Sequence, residues 1–437
     1  MTQQTEAMAN AFVPGKVALP PETERLIARR ERLLGPAYRL MYDEPLHFVR
    51  GEGAWLIDAA GRRYLDAYNN VTSLGHCHPA VVAAIAQQAA TLATNTRYLQ
   101  EGILDLAERL LATLPPALDR MMLTCTGSEA NDLALRIAKA ATGGSGVIVT
   151  ETAYHGITDA VAQFSPSLGA AVDLGMQVEL VPAPGDPGAE GEAGFGAAVQ
   201  AAVARLRRRG IRPAMLIVDT MFTSDGVRPG PAGFLAPAAA AIRQAGGLFV
   251  ADEVQPGFAR TGEGFWGFQR HGVVPDIVTM GKPMGNGHPV AGLAIGAALV
   301  EEFGRNARYF NTFGGNSVSC AAALAVLQVI ADEGLQDNAL RMGARLMAGL
   351  AGLSDRHPLL SPPRGAGLMI GAEIRRDGQP DRAATAAIVN GLRREGVLIS
   401  SCGKDHNVLK IRPPLIVGPA EVDHFVETLD RVLEGLQ

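Results

Sequence analysis

Two periodicities share this chain. From about residue 80 to 320, short unbroken apolar runs recur between stretches whose apolar positions return every three or four residues. The runs are Met121–Thr124, Gly146–Thr150, Met215–Asp219, Leu248–Asp252, Ile277–Met280 and Ala291–Ile295. An apolar run without alternation suits a strand covered on both faces, whereas residues 197–209 between two of them have helical spacing. Strands alternating with helices predict an α/β fold around a mostly parallel sheet. Residues 46–68 alternate apolar and polar instead, with Asp58-Ala59-Ala60-Gly61 as the turn between two strands. Past about residue 330 the order changes to helix, strand, helix, strand, helix. The expected organisation is an N-terminal arm with small-domain strands (1–68), a large domain (69–325) and a smaller α+β domain (326–437).

Composition narrows the class. The chain has 437 residues, 47% of them hydrophobic, enough for a large core. A net charge of −5 gives no basic footprint for nucleic acid. Cys77, Cys125, Cys320 and Cys402 are far apart and without CxxC spacing, so free thiols are expected. The first sixteen residues lack the basic-then-apolar order of a secretory signal. No run approaches the roughly 18 apolar residues of a membrane span. These features predict a cytoplasmic protein that uses neither membrane nor nucleic acid.

Chemistry gathers where the predicted strands end. Asp252-Glu253-Val254-Gln255 closes one strand and Met280-Gly281-Lys282 closes the next. A carboxylate after an apolar run is expensive to bury without a cationic or donor partner, and a lysine there loses hydration and basicity. Pyridoxal phosphate needs both: an acid that keeps its ring nitrogen protonated and an amine that binds it as a Schiff base. Cys125-Thr126-Gly127-Ser128-Glu129 follows a strand and opens a helix. Gly127 lets backbone come close, Ser128 is expected as the N-cap, and free N–H groups there suit a phosphate. Tyr154, in Ala153-Tyr154-His155-Gly156, is placed to lie flat on a ring. The loop Phe310-Asn311-Thr312-Phe313-Gly314-Gly315-Asn316 offers a hydroxyl and N–H groups to a second phosphate contact. Taken singly, these segments also read as a capped helix, a packing tyrosine, a structural ion pair, a turn lysine and a plain loop. Gly75-His76-Cys77-His78-Pro79 fits no standard metal spacing, and no metal is expected; His78-Pro79 more simply starts a helix.

In order along the chain, GHCHP, TGSEAND, YHG, DEVQPGFARTG, GK and TFGGN resemble the class III (ω-type) aminotransferases, fold-type I pyridoxal-phosphate enzymes. The resemblance spans about residues 60–415 and implies a seven-stranded-type sheet flanked by helices. It also implies that Lys282 carries the coenzyme, Asp252 pairs with the ring nitrogen, Val254 packs under the ring and Gln255 bonds its phenolic oxygen. Tyr154 would stack on the ring, and Gly127 and Ser128 would cradle the phosphate. Thr312 would reach that phosphate from a neighbouring subunit, in a homodimer or dimer of dimers. Two positions depart from the family pattern. Asp219-Thr220 stands where a glutamate and a proline are usual, and Lys410 where many members carry a carboxylate-gripping arginine. Strand alternation puts Lys410 and Arg412 on one side, as an anion site or as solvated charges. Asn69-Asn70-Val71, Asn95-Thr96-Arg97-Tyr98-Leu99 and VLKIRPP are most similar to the branch of ammonia-phospholyases and alanine–glyoxylate aminotransferases. Asn70, Arg97, Lys410 and Arg412 are the candidate substrate residues. Two reactions stay open: transfer of an amino group from an amine or amino acid to a 2-oxo acid or aldehyde, and elimination of phosphate and ammonia from a phosphorylated amino alcohol.

Overall fold

A computed structural model of the protein describes residues 10–436. Its centre is a seven-stranded sheet. The order across it is Arg120–Thr124, Ala291–Ile295, Ile277–Met280, Leu248–Asp252, Pro213–Asp219, Gly146–Thr150 and Val178–Val181. Only Ala291–Ile295 runs against its neighbours. All six strands expected from apolar runs are present, within two residues of their expected bounds. Val178–Val181 was not foreseen: it alternates between half-buried and buried positions at the sheet's edge.

Both faces of this sheet are covered, which is why its strands read as unbroken apolar runs. Val147, Val149, Met215 and Ile217 pack with Leu133, Ala134, Ile137 and Ala138 of the helix Gly127–Thr142. Ile148, Leu216 and Val218, one residue out of phase, pack with the helices Gly191–Arg208 and Ala236–Gln244 on the other side.

Two smaller sheets join the ends of the chain. Phe48–Glu52, Trp55–Asp58 and Arg63–Asp66 form an antiparallel meander, and Val397–Leu398 adds to it in parallel. The Asp58 turn forms as expected: its carboxylate accepts from the N–H groups of Ala60 and Arg62, 2.9 Å each. The second sheet runs Arg364–Ala366, Met369–Glu373, Val408–Ile411, Ser400–Cys402. The Arg412 N–H donates to Ala67 O at 2.7 Å and the Gly403 N–H to Ser224 O at 3.0 Å. These bonds fasten the second sheet over the carboxyl ends of the central strands. No single helix among the described residues is long and apolar enough to cross a membrane.

One local expectation is corrected. The cap of Gly127–Thr142 is Thr126, not Ser128: Thr126 Oγ1 accepts from the Glu129 N–H at 3.2 Å, and Glu129 Oε2 accepts in return from the Thr126 N–H at 2.9 Å. The sequence Thr-x-x-Glu is a capping box, and it takes precedence over a serine two positions further on.

Candidate active site

The central strands end level with one another. In register, Asp219 lies beside Asp252 and Asp252 beside Thr279. Ligands of open α/β sheets bind outside this carboxyl edge. Here a cavity of about 290 Å³ is lined by Gly127, Ser128, Tyr154, Asp252, Val254, Gln255 and Lys282. Seven residues drawn from four separate sequence motifs are thus brought to one place.

Asp252 is buried and accepts three donors. Asn131 Nδ2 (2.9 Å) and His155 Nδ1 (2.7 Å) reach Oδ2, and the Val254 N–H (3.0 Å) reaches Oδ1. A carboxylate only accepts, so the His155 proton sits on Nδ1. Asn131 is itself held through its Oδ1, which accepts from Thr279 Oγ1 at 2.7 Å. Asn131 and His155 were not singled out from sequence. The usable signal was Asn131, a polar residue on the otherwise apolar buried stripe of its helix. Next along the strand end, Glu253 is fully buried and accepts from Thr220 Oγ1 and from the Gly267 and Phe268 N–H groups; burial pushes its carboxyl up to about 7.

Lys282 opens a tight turn at φ +29°, a region side-chain-bearing residues seldom adopt and one that marks functional strain. Its Nζ lies 5.9 Å from the centre of the Tyr154 ring. Burial lowers its pKa to about 8; Arg412 and Lys410 push the same way, and Asp252 and Asp219 oppose them. A neutral amine is therefore within reach near physiological pH, as a nucleophile requires.

The phosphate end is built by close approach. A Cβ on Gly127 would stand 3.0 Å from a Val254 methyl, a tight contact that Val254 would have to yield a few tenths of an ångström to relieve, so glycine lets the helix start seat closely against it. Gly156, at φ +143°, lies against Ser128, whose Oγ accepts from the Ile157 N–H at 3.1 Å. The first-turn N–H groups of Gly127 and Ser128 have no carbonyl one turn back to meet. An anion there gains those donors and the helix dipole.

A second cavity of about 690 Å³ adjoins the first and shares Tyr154, Gln255 and Lys282 with it. Its cations are Lys282, Arg382, Lys404, Lys410 and Arg412, and no aspartate or glutamate among the described residues lines it. Arg412 is buried; NH1 donates to Gln255 Oε1 and NH2 to Tyr68 O at 3.0 Å. Lys410 is half-buried, 6.0 Å above the Tyr68 ring, with no hydrogen bond or ion pair among the described residues.

Three sequence candidates stand apart from both cavities. Asn70 is buried and donates to Gln255 O at 3.0 Å. Arg97 is exposed, its guanidinium 3.8 Å above the Phe310 ring. Thr312 is exposed and borders neither cavity of its own chain. Of the GHCHP run, His76 pairs with Asp66 at 2.8 Å, His78 reaches Glu333 at 3.3 Å, and Cys77 is exposed.

The donor set fits pyridoxal phosphate: a hydrogen-bonded carboxylate for the ring nitrogen, a lysine of reduced basicity, a valine and a tyrosine for the ring, and a glycine-opened helix for the phosphate. Comparison with known proteins agrees. The profile described as aminotransferase class-III matches residues 39–433. The chain is 37% identical, over 92% of its length and 85% of the relative's, to a Drosophila melanogaster protein named alanine–glyoxylate aminotransferase 2-like. It is 35% identical, over 94% and 93%, to ethanolamine-phosphate phospho-lyase homolog 1 of Caenorhabditis elegans. Among solved structures it matches a phospholyase from Arthrobacter in complex with phosphoethanolamine, with TM-score 0.91 and 41% identity over 94% of this chain and 100% of that one. With the fold, the coenzyme-fitting cavity and the match to nearly its whole length in agreement, the chain belongs to the class III aminotransferase family and is a pyridoxal-phosphate enzyme, a transferase or a lyase.

Proposed function

We propose that this enzyme eliminates phosphate and ammonia from a small phosphorylated amine. The observation that carries the reading is the second cavity, where Lys410 meets no hydrogen-bond or ion-pair partner among the described residues and no described aspartate or glutamate lines the wall. A cation without a partner in a half-buried space is unfavourable unless a guest neutralises it. A phosphate monoester brings about −1.5 to −2 charges near pH 7, more than a single carboxylate does. Lysine at position 410, a point charge instead of a two-pronged carboxylate grip, suits that guest. The Arthrobacter structure carries phosphoethanolamine by its description, and the worm relative is named for that substrate.

The residues divide the work accordingly. Bound coenzyme would withdraw electrons from the carbon bearing the substrate nitrogen. Lys282 then takes the proton from that carbon. The neighbouring C–O bond breaks, phosphate departs with the bonding electrons, and Lys410 with its neighbours stabilises that charge. Water completes the balance: phosphorylated aminoethanol plus water gives an aldehyde, ammonia and phosphate. Asp252 keeps the ring nitrogen protonated throughout. Thr312 completes the phosphate site of a second subunit in a homodimer.

Product analysis tests the reaction. O-phosphoethanolamine should release phosphate and ammonia in equal amounts. Lys410→Met should raise KM for it by roughly 10- to 150-fold, the loss of one charged contact, and leave the binding of an uncharged amine, read as a change in the coenzyme's absorbance, unaffected. The second reading, amino transfer, is favoured by the fly relative's name. Alanine formed from pyruvate, with no phosphate released, would establish it and overturn the lyase.

A further inference from the structure

Gln255 is held at both ends of its side-chain amide. Its Oε1 accepts from Arg412 NH1, and its Nε2 donates to Asp219 Oδ2 at 3.2 Å. An amide is ambidentate, and its two ends are distinguished only by their partners. Here the partners settle the matter. A guanidinium has donors only, so the oxygen must face Arg412; an ionised carboxylate accepts only, so the NH2 must face Asp219. Nε2 carries a second hydrogen that no described protein group takes, and Gln255 borders the cavity that fits the coenzyme. The clamp is rigid at its basic end. Arg412 is buried, its NH2 is tied to Tyr68 O, its guanidinium lies 5.1 Å over the Tyr68 ring, and its Nε is closed off without a partner. Asp219 is fixed in turn, accepting from the N–H groups of Met221 (2.9 Å) and Thr223 (3.2 Å).

We propose that Arg412 is a positioning residue: opposite Asp219, it locks the Gln255 amide so that an N–H, and not the carbonyl oxygen, is presented to the phenolic oxygen of the coenzyme ring. Lys410, two residues back and without a hydrogen bond or ion pair among the described residues, is left as the cation that meets the substrate. The inference rests on the pyridoxal-phosphate reading and separates two residues that sequence alone pairs as one anion site. It also gives Asp219 a function. Bridged through Gln255, the aspartate reaches a buried arginine without contacting it.

The test is a double-mutant cycle on holoenzyme without substrate, following the pH midpoint of the absorbance band from the link to Lys282. An N–H on the phenolic oxygen stabilises its negative charge and lets the link lose its proton more easily. Gln255→Leu should therefore raise the midpoint by about one unit, the scale of one hydrogen bond. Arg412→Met should also raise it. The double variant should rise no further than Gln255→Leu alone, because Arg412 acts through the amide. If Arg412→Met does not fold, judged by thermal melting, Arg412→Lys takes its place in the same cycle. Steady-state kinetics give a second readout: Arg412→Met should lower kcat for phosphate release from O-phosphoethanolamine, with KM held within about twofold. Additive shifts, an unmoved midpoint in the Arg412 variant, or a rise in KM for O-phosphoethanolamine with kcat kept would each overturn the proposal and return Arg412 to the substrate site. A wild-type protein that forms no band at all would instead remove the coenzyme reading beneath it, a distinct result.

Discussion

Lys282 must lose a proton before it can capture the coenzyme, and its surroundings decide when. Burial weakens its hydration and two neighbouring cations repel a third charge, while Asp252 and Asp219 pull the other way; the outcome is a pKa of about 8 in place of 10.5. Below that value the amine is protonated and inert, and above it the amine is neutral. The rate at which coenzyme-free protein captures pyridoxal phosphate should thus rise nearly tenfold per unit as pH climbs toward 8, then level off above about 9, in rapid-mixing absorbance traces. A profile still climbing at pH 10 would mean the site leaves Lys282 as basic as a surface lysine. Lys282→Ala should give no covalent band at any pH, and no labelled residue after borohydride reduction.

The helix Gly127–Thr142 opens onto the cavity that fits the coenzyme, and its first turn is closed by the Thr126–Glu129 box. Thr126→Ala should cost about 1 kcal/mol of stability and weaken coenzyme retention, read by melting and by equilibrium dialysis; kcat at saturating coenzyme should be kept. An unchanged dissociation constant would show that the first turn stands without its cap. The same helix marks the limits of sequence reading. The apolar runs made six of the seven central strands legible, because strands covered on both faces need no alternation. Val178–Val181 escaped because an edge strand shows a weak, mixed pattern, and four residues are too few to resolve it. Strand-end chemistry made Asp252 and Lys282 legible, since a charge at the end of an apolar run demands a reason. The supports of Asp252 were hidden, because Asn131 and His155 meet it only across 121 and 97 residues of chain. The clamp on Gln255 was hidden likewise, since nothing in VLKIRPP shows that Arg412 turns to the glutamine while Lys410 meets no hydrogen-bond partner among the described residues.

At the scale of the whole molecule, one side of a single chain is left unfinished. Tyr98 and Leu99 are two-thirds to fully exposed, Phe313 is as exposed as Tyr98, and Leu104 is more than half exposed. The two segments that carry most of this surface are tied to each other: Ser317 Oγ accepts from the Thr94 N–H at 3.2 Å, and Arg97 lies over Phe310. Contiguous apolar surface held in a fixed shape marks an interface. The polar groups beside it point the same way, since Thr312 and Arg97 face outward and border no cavity of their own chain. A second copy of the chain, related by a two-fold axis, would bury this surface and bring each Thr312 to the partner's phosphate site, as closed symmetric pairs do. The active species should accordingly sediment as a dimer or a multiple of one. Leu99→Asp combined with Phe313→Asp places charge on two of the most exposed side chains of this surface, so the variant should sediment as a monomer and lose coenzyme on dialysis while its far-ultraviolet circular dichroism stays that of the folded chain. Thr312→Ala should separate the two consequences, remaining a dimer and holding coenzyme more weakly. A monomeric double variant with full activity and full coenzyme content would show that each chain completes its own site, and the outward-facing Thr312 would then have no part in it.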